Sequence, residues 1–275
     1  MLGRMRRAPV WAAVQMSSQG DLQENLHVVE RRIGEAADRG ASVVVLPENF
    51  AFFGAEPEKR DVAEDLEGDG PIASTLRKAA RSRQITVIGG GMPERSNDPA
   101  RPYNTCAAYG PDGRLLARYR KVHLFDVEIG DGTTYRESAA TMPGKGPVTM
   151  SIDAVGVGLS VCYDLRFPEL YRALSAAGVE VIVIPAAFTL TTGKDHWMVL
   201  LRARAIESQA FVVAAAQWGK HPRGRHTFGK SCIIDPWGDV IAQASEGEGV
   251  IVASLDLDYL TRVRANLPAL THRRL

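Results

Sequence analysis

Strand-length runs that are apolar at nearly every position most constrain this chain. SVVVLP (42–47), VEVIVIP (179–185) and FVVAAA (211–216) show no in–out alternation, so both faces of each strand must be covered. A sheet buried on both faces needs helices or a second sheet on either side of it. Similar strand-like runs recur at 10–16, 85–91, 103–109, 114–119, 148–152, 155–161, 231–235, 239–244 and 250–255.

Helical patterns separate several of these runs. Asp21 and Glu24 form a D-x-x-E start resembling a capping box, and Leu22, Leu26, Val29, Ile33 and Ala37 follow at helical spacing up to Gly40. Pro71 suits the first turn of a second helix with Ile72, Leu76 and Ala79 inward, and Pro168 does the same for 168–177. Over about 195–209, Met198, Leu201 and Ala205 share a face. The order is β-α-β-α-β, then paired strands joined by turns such as PDG (111–113) and PWGD (236–239). No Ser- or Pro-rich linker and no short-period repeat interrupts it. The sequence therefore predicts one α/β domain over 9–275 with a mixed sheet system and helices outside, preceded by a disordered or extended tail at 1–8.

With 33 Lys+Arg against 32 Asp+Glu, the net charge of +1 is too small to recruit nucleic acid or an anionic membrane. The arginines of GRMRR and THRRL are local and read as solvated tails. Ala8 to Met16 is too short and interrupted for a signal or membrane span. Cys106, Cys162 and Cys232 are odd in number and widely spaced; they suggest neither a disulfide framework nor zinc, and fit a reducing cytoplasm.

Three polar residues stand where apolar runs stop. In VGLSVCYDLRFPEL (157–170), Cys162 ends a buried strand and a helix-like segment follows. That is the strand–turn–helix geometry of a nucleophile elbow, although a small buried cysteine would look the same. Glu48 closes VVVLPE and is delivered at a strand's carboxyl end, where burial would raise its pKa and make it a general base; a solvated turn glutamate is the alternative. Lys121 follows the RLLARY strand, where it can lower a thiol pKa and stabilise an oxyanion, or be an ordinary strand-end lysine.

Taken in order, LPEN around Glu48, YRKVHLFD around Lys121, VCYDLRFPELYR around Cys162 and HWMVLLRARAIESQAFVVAAAQ (196–217) resemble the nitrilase superfamily of carbon–nitrogen hydrolases. The resemblance runs from about residue 9 to the end. It implies a four-layer α-β-β-α sandwich with two mixed sheets, no cofactor and no metal, and a homodimer or higher even homo-oligomer. It also implies an amidase that converts a small carboxamide to acid and ammonia through a cysteine thioester. Cys162 would be the nucleophile, Glu48 the proton carrier and Lys121 an oxyanion donor. The Tyr163 N–H would be the second donor, and Glu137, in YRESAATMPG, would hold Lys121.

Within that family the chain looks most like the deaminated glutathione amidases, and AAFTLTTGKDHW (186–197) looks as much like the ω-amidases that act on 2-oxoglutaramate. Nitrilases and N-carbamoyl amino acid hydrolases are more distant alternatives, and a non-catalytic scaffold is a further one. Arg166 could pair with a substrate 2-oxo acid carboxylate or with a neighbouring acid, and by resemblance Phe188 and Thr192 line the same pocket. The basic loop GKHPRGRH (219–226) could reach a distal carboxylate but reads first as a solvated loop. GGG (89–91) reads as a tight turn, since it lacks the spacing of a phosphate loop. His221 and His226 lack the complement of a metal site. His123 or His196 would serve Cys162 in a rival Cys–His arrangement. Trp197 and Trp218 read as core or interface.

Overall fold

The structure is a computed structural model and describes residues 8–128 and 134–274. The predicted tail at 1–8 therefore lies, apart from Ala8, outside the described residues. Two six-stranded mixed sheets carry the architecture. In the first, β1 (Val10–Gln15), β2 (Val43–Val45) and β3 (Thr86–Glu94) run parallel. Antiparallel β4 (Tyr103–Tyr109) and β5 (Leu115–Arg120) extend one edge, and β16 (Gly249–Ser254) closes the other.

The second sheet repeats the plan. Here β9 (Val155–Leu159), β10 (Val181–Val183) and β11 (Phe211–Ala214) are parallel. Antiparallel β14 (Cys232–Ile234) and β15 (Val240–Gln243) extend one edge, and β8 (Val148–Ile152) closes the other. Two hairpins stand apart, β6 (Asp126–Glu128) with β7 (Thr134–Arg136), and β12 (Trp218–Lys220) with β13 (His226–Phe228).

Side-chain alternation explains the layering. Trp11, Ala13, Val43 and Val45 join the core shared with the second sheet. Their neighbours Ala12, Val14 and Val44 pack with Leu26, Val29, Ile33, Ile72 and Leu76, which belong to α1 (Leu22–Asp38) and α2 (Pro71–Arg83). On the far side, α3 (Pro168–Ala176) and α4 (Leu190–Ser208) contribute Leu170, Leu174, Trp197 and Leu201 to the core of the second sheet. The result is the expected α-β-β-α sandwich.

Local rules account for most boundaries. Asp21 caps α1 by accepting from the N–H groups of Gln23 and Glu24, and Gly40 at φ 84° follows its end. α4 starts at Leu190, a turn and more before the predicted start, because Thr189 accepts from the Thr192 N–H. α5 (Leu257–Asn266) was not expected from the sequence. Asp256 caps it through the Tyr259 N–H, and Leu257, Leu260 and Val263 are its buried stripe. GGG is not a tight turn but lies buried inside β3, at a bulge between Gly89 and Met92. A Cβ at Gly90 would collide with Pro185 and the Leu46 carbonyl, so the strand approaches its neighbours as only glycine permits.

The β12–β13 hairpin is tied down by His221, which is only 5% exposed. Its Nδ1 meets the Ser18 carbonyl at 2.7 Å, its Nε2 meets Thr227 Oγ1 at 2.7 Å, and its ring lies 4.2 Å from that of Phe53. Burial lowers its pKa from 6.5 to about 4, opposed by the Ser18 bond and aided by Arg225 and His226. The unfolded chain therefore binds the extra proton first, and stability falls as pH drops through the interval between those values. The full loss is about 3 kcal/mol. Denaturant midpoints measured between pH 7 and 4 will show this slope, and His221→Gln will flatten it. An unchanged slope in the variant would show that His221 is not its source.

Candidate active site

One parallel strand of each sheet delivers a polar group to a common place beyond its carboxyl end. Beyond β2, Pro47 leads into Glu48. Beyond β9, Cys162 opens a short 3₁₀ turn, Cys162–Arg166, and α3 starts only at Pro168. The turn after the nucleophile candidate is thus 3₁₀, and α3 follows from Pro168, where the sequence predicts a helix to start. Lys121 directly follows β5. Glu48, Lys121, Glu137 and Cys162 line a single cavity of about 270 Å³, together with Tyr163, Arg166, Phe188 and Thr192. Every predicted site residue is thus brought to one cavity.

Lys121 is 2% exposed and is the centre of the cluster. Its Nζ lies 3.0 Å from Glu48 Oε1 and 2.8 Å from Glu137 Oε2. Asn104 Nδ2 bridges the same two carboxylates, at 3.0 Å and 3.2 Å. The Ala187 N–H donates to Glu48 Oε2 at 3.0 Å and the Phe125 N–H to Glu137 Oε2 at 2.7 Å. Cys162 is hydrogen-bonded to Glu48, the thiol donating. Two cluster segments adopt backbone that side-chain-bearing residues avoid: Cys162 has φ 48° and Asn49 has φ 58°.

The charges correct two expectations. Burial alone would raise Glu48, but the Lys121 ammonium, the Cys162 bond and Lys59 outweigh it and hold the carboxyl below its ordinary range. Burial and the Glu48 charge push the Cys162 thiol well up, and Lys121 offsets them only in part. For Lys121, burial is overcome by Glu137 and Glu48, so its ammonium persists well above the usual range. The resting cluster is therefore carboxylate, ammonium and neutral thiol, where the sequence suggested a raised glutamate and a thiol acidified by lysine.

The elbow itself is held by Asp164, which is 0% exposed. It accepts from the Val161 N–H at 2.8 Å, Tyr119 Oη at 2.7 Å and the His123 N–H at 3.1 Å. His123 Nδ1 lies 2.7 Å from the same carboxylate and its ring stacks on Phe167 at 3.7 Å. His196 Nδ1 is 3.1 Å from Arg166 Nη1. Both rival histidines are thus engaged away from the thiol. Arg166 has no acid partner among the described residues; its guanidinium lies over Phe188 and Tyr163, at 5.1 and 5.9 Å. Trp197 is wholly buried and donates to the Lys230 carbonyl.

Several site residues escaped the sequence reading. Gln217, the first polar residue after the buried β11 run, donates to the Glu48 carbonyl at 3.0 Å; the logic that singled out Glu48 would have found it. Asn104 is a polar residue inside a buried strand, which is a usable signal. Gly91 has φ 66°, and a Cβ there would lie 2.8 Å from Glu48 Cγ and 2.7 Å from Asn104 Oδ1. The basic loop is not simply solvated, because Arg225 pairs with Glu56 at 2.8 Å and lines the cavity.

The profile of the carbon–nitrogen hydrolase family matches residues 11–265. The deaminated glutathione amidase of Synechocystis is 49% identical over 269 residues, covering 95% of this chain and 97% of its own. The omega-amidase of Xenopus tropicalis is 39% identical over 251 residues, covering 91% and 90% respectively. The crystal structure of the C. elegans NitFhit protein superposes with a TM-score of 0.91 at 38% identity, over 98% of this chain and 66% of that longer one. Fold, matched span and near full-length identity agree: this chain belongs to the carbon–nitrogen hydrolases of the nitrilase superfamily.

Proposed function

We propose that this amidase hydrolyses a 2-oxo acid amide, with deaminated glutathione as its substrate, and that Cys162, Glu48 and Lys121 perform the chemistry. The carrying observation is the buried Glu48–Lys121–Cys162 cluster, which faces the same cavity as Arg166, a guanidinium with no acid partner among the described residues. A 2-oxo acid carboxylate would complete Arg166 bidentately, with Phe188 and Thr192 beside it.

In this reading the Cys162 sulfur bonds to the amide carbon while its proton passes to Glu48. The oxyanion is received by Lys121, whose ammonium stands among Glu48 Oε1 at 3.0 Å and the two Glu137 oxygens at 3.1 and 2.8 Å, and by the Tyr163 N–H, which donates to no group among the described residues. Glu48 returns the proton to the nitrogen, the C–N bond breaks and a thioester remains. The leaving group is ammonia from a primary amide and a dipeptide from deaminated glutathione. Water then attacks with Glu48 as base, the C–S bond breaks, and the proton goes to the departing sulfur. Glu137 and Asn104 keep Lys121 and Glu48 in register.

Cys162→Ala lowers kcat on the order of 10³-fold or more, and Glu48→Gln by roughly 10²–10⁴-fold. Near-normal turnover in either variant would refute the assignment. Because Glu48 is depressed, kcat/KM keeps its value down to below 4.5, the ordinary carboxylate value, on protein shown to remain folded, and thiol ionisation adds no limb below 9.0. An acid limb near neutrality would contradict this charge state.

For the substrate, kcat/KM for deaminated glutathione exceeds that for 2-oxoglutaramate; the reverse order would make the protein an ω-amidase. The three free cysteines accord with a cytoplasmic setting, and no helix among the described residues is long and apolar enough to cross a membrane. An even homo-oligomer is supported by exposed Val199 and Ile206 on α4 beside exposed Trp237, whose turn packs Gly238 against Ile206. Light scattering will give an even multiple of 29.9 kDa, and Val199→Lys will shift it towards monomer. A monomeric mass for the unaltered protein would dismiss this assembly.

A further inference from the structure

The active-site cavity carries more positive than negative charge. Among the described residues lining it, six side chains are basic and three are carboxylates. Around the chemistry itself the balance is negative, with Lys121 between Glu48 and Glu137. The surplus of cations lies elsewhere on the wall, and one part of it is organised.

Glu56 and Lys59 sit in the 3₁₀ turn Glu56–Val62, and Arg225 reaches them from the connection of the β12–β13 hairpin. Lys59 Nζ and Arg225 Nη1 each lie 2.8 Å from the one Glu56 carboxylate. The Lys59 side chain is 6% exposed and that of Arg225 20%. Two largely buried cations thus share a single anion. Buried charge is costly unless paired, and Arg225 and Lys59 both line the cavity, where each carries more N–H groups than its one contact with Glu56 uses.

An aromatic row relates this cluster to Arg166. The Arg225 guanidinium lies 5.9 Å from the Tyr135 ring. Tyr135 is 5.1 Å from Phe125, and Phe125 is 5.0 Å from Tyr163. Arg166 lies 5.9 Å from the Tyr163 ring. Two arginines therefore stand at the ends of a row of three rings, and the Arg166 end adjoins Cys162. Arg225 is oriented by Glu56 and by the face of Phe53 at 5.6 Å, so its fork is preset for a planar anion.

We propose that Arg225 and Lys59, aligned by Glu56, form a second anion subsite that binds a carboxylate on the amine side of the scissile amide. Resting on the amidase reading above, this makes the preferred substrate an extended amide with a carboxylate at each end: one at Arg166 on the acyl side, one at Arg225 on the leaving-group side. Glu56 keeps the unoccupied subsite from holding two uncompensated cations.

The test uses deaminated glutathione and an analogue whose glycine carboxylate is replaced by carboxamide. In the unaltered enzyme kcat/KM favours the acid over the analogue by about ten-fold or more, chiefly through KM. Arg225→Gln brings that ratio close to one. Arg225→Lys, which keeps a charge for Glu56, retains part of it and guards against a folding defect. Lys59→Gln lowers the ratio less. The proposal is overturned if the unaltered enzyme does not distinguish the two amides, or if Arg225→Gln slows both equally. If the unaltered enzyme hydrolyses neither yet turns over 2-oxoglutaramate, the substrate reading fails; in that case the subsite fails with it.

Discussion

A single buried ammonium sets the terms for everything around it. Lys121 could not remain charged at 2% exposure without the carboxylates of Glu48 and Glu137 at 3.0 and 2.8 Å, because without them it would be an uncompensated ion in a dry site. The same contact fixes the protonation of its neighbours. Lys121 holds Glu48 ionised, ionised Glu48 keeps the proton on Cys162, and the neutral thiol needs no counter-ion of its own. In the proposed mechanism the nucleophile is thus stored in its unreactive form beside the base that activates it. Lysine here acts first on the carboxylate, and only through it on the sulfur.

Such a cluster has to be assembled from distant segments, and the twofold plan of the sheets does this. Each half contributes a β-α-β-α-β unit with three parallel strands, and β2 and β9 lead to Glu48 and Cys162 at the cavity. Glu48 comes from the first half and Cys162 and Ala187 from the second, while Gln217 crosses between them to hold the Glu48 carbonyl. Close backbone contact is part of the same solution. Gly90 and Gly91 let β3 pass against Pro185 and Glu48 at distances no side chain would tolerate. Asn104 Oδ1, buried without a hydrogen-bond partner among the described residues, is a local cost of about 1–3 kcal/mol accepted to align two carboxylates.

Much of this was legible in the residues, and the divisions are physical. Apolar runs such as VVVLP and VEVIVIP announce strands covered on both faces, and the first polar residue past each run is forced to a strand end, so Glu48 and Cys162 could be found. The two sheets follow from the family resemblance and not from periodicity, because two halves that share topology need share only a hydrophobic pattern. Protonation states are hidden for a related reason: burial can be read from a run of valines, whereas the opposing charge of a lysine 73 positions away depends on contact geometry. GGG reads as a turn because glycine permits both turning and close approach, and sequence cannot tell them apart. The basic loop read as solvated because nothing in GKHPRGRH reveals that Glu56 waits for Arg225.

That last pair bears on how selectivity arises. A carboxylate brought near Glu48 and Glu137 would meet two negative charges in a weakly screened site, so the chemical centre by itself disfavours an acidic substrate. Cations set at both ends of the Tyr135–Phe125–Tyr163 row reverse that preference while keeping the substrate's charges away from the base. The aromatic row between them offers no charge to the uncharged middle of the molecule, where the amide lies. Affinity for the ends and tolerance in the middle together place the carbonyl at the sulfur. In this arrangement binding energy from groups remote from the reacting bond is used for orientation, and the distance between the two arginines becomes the ruler that selects the amide.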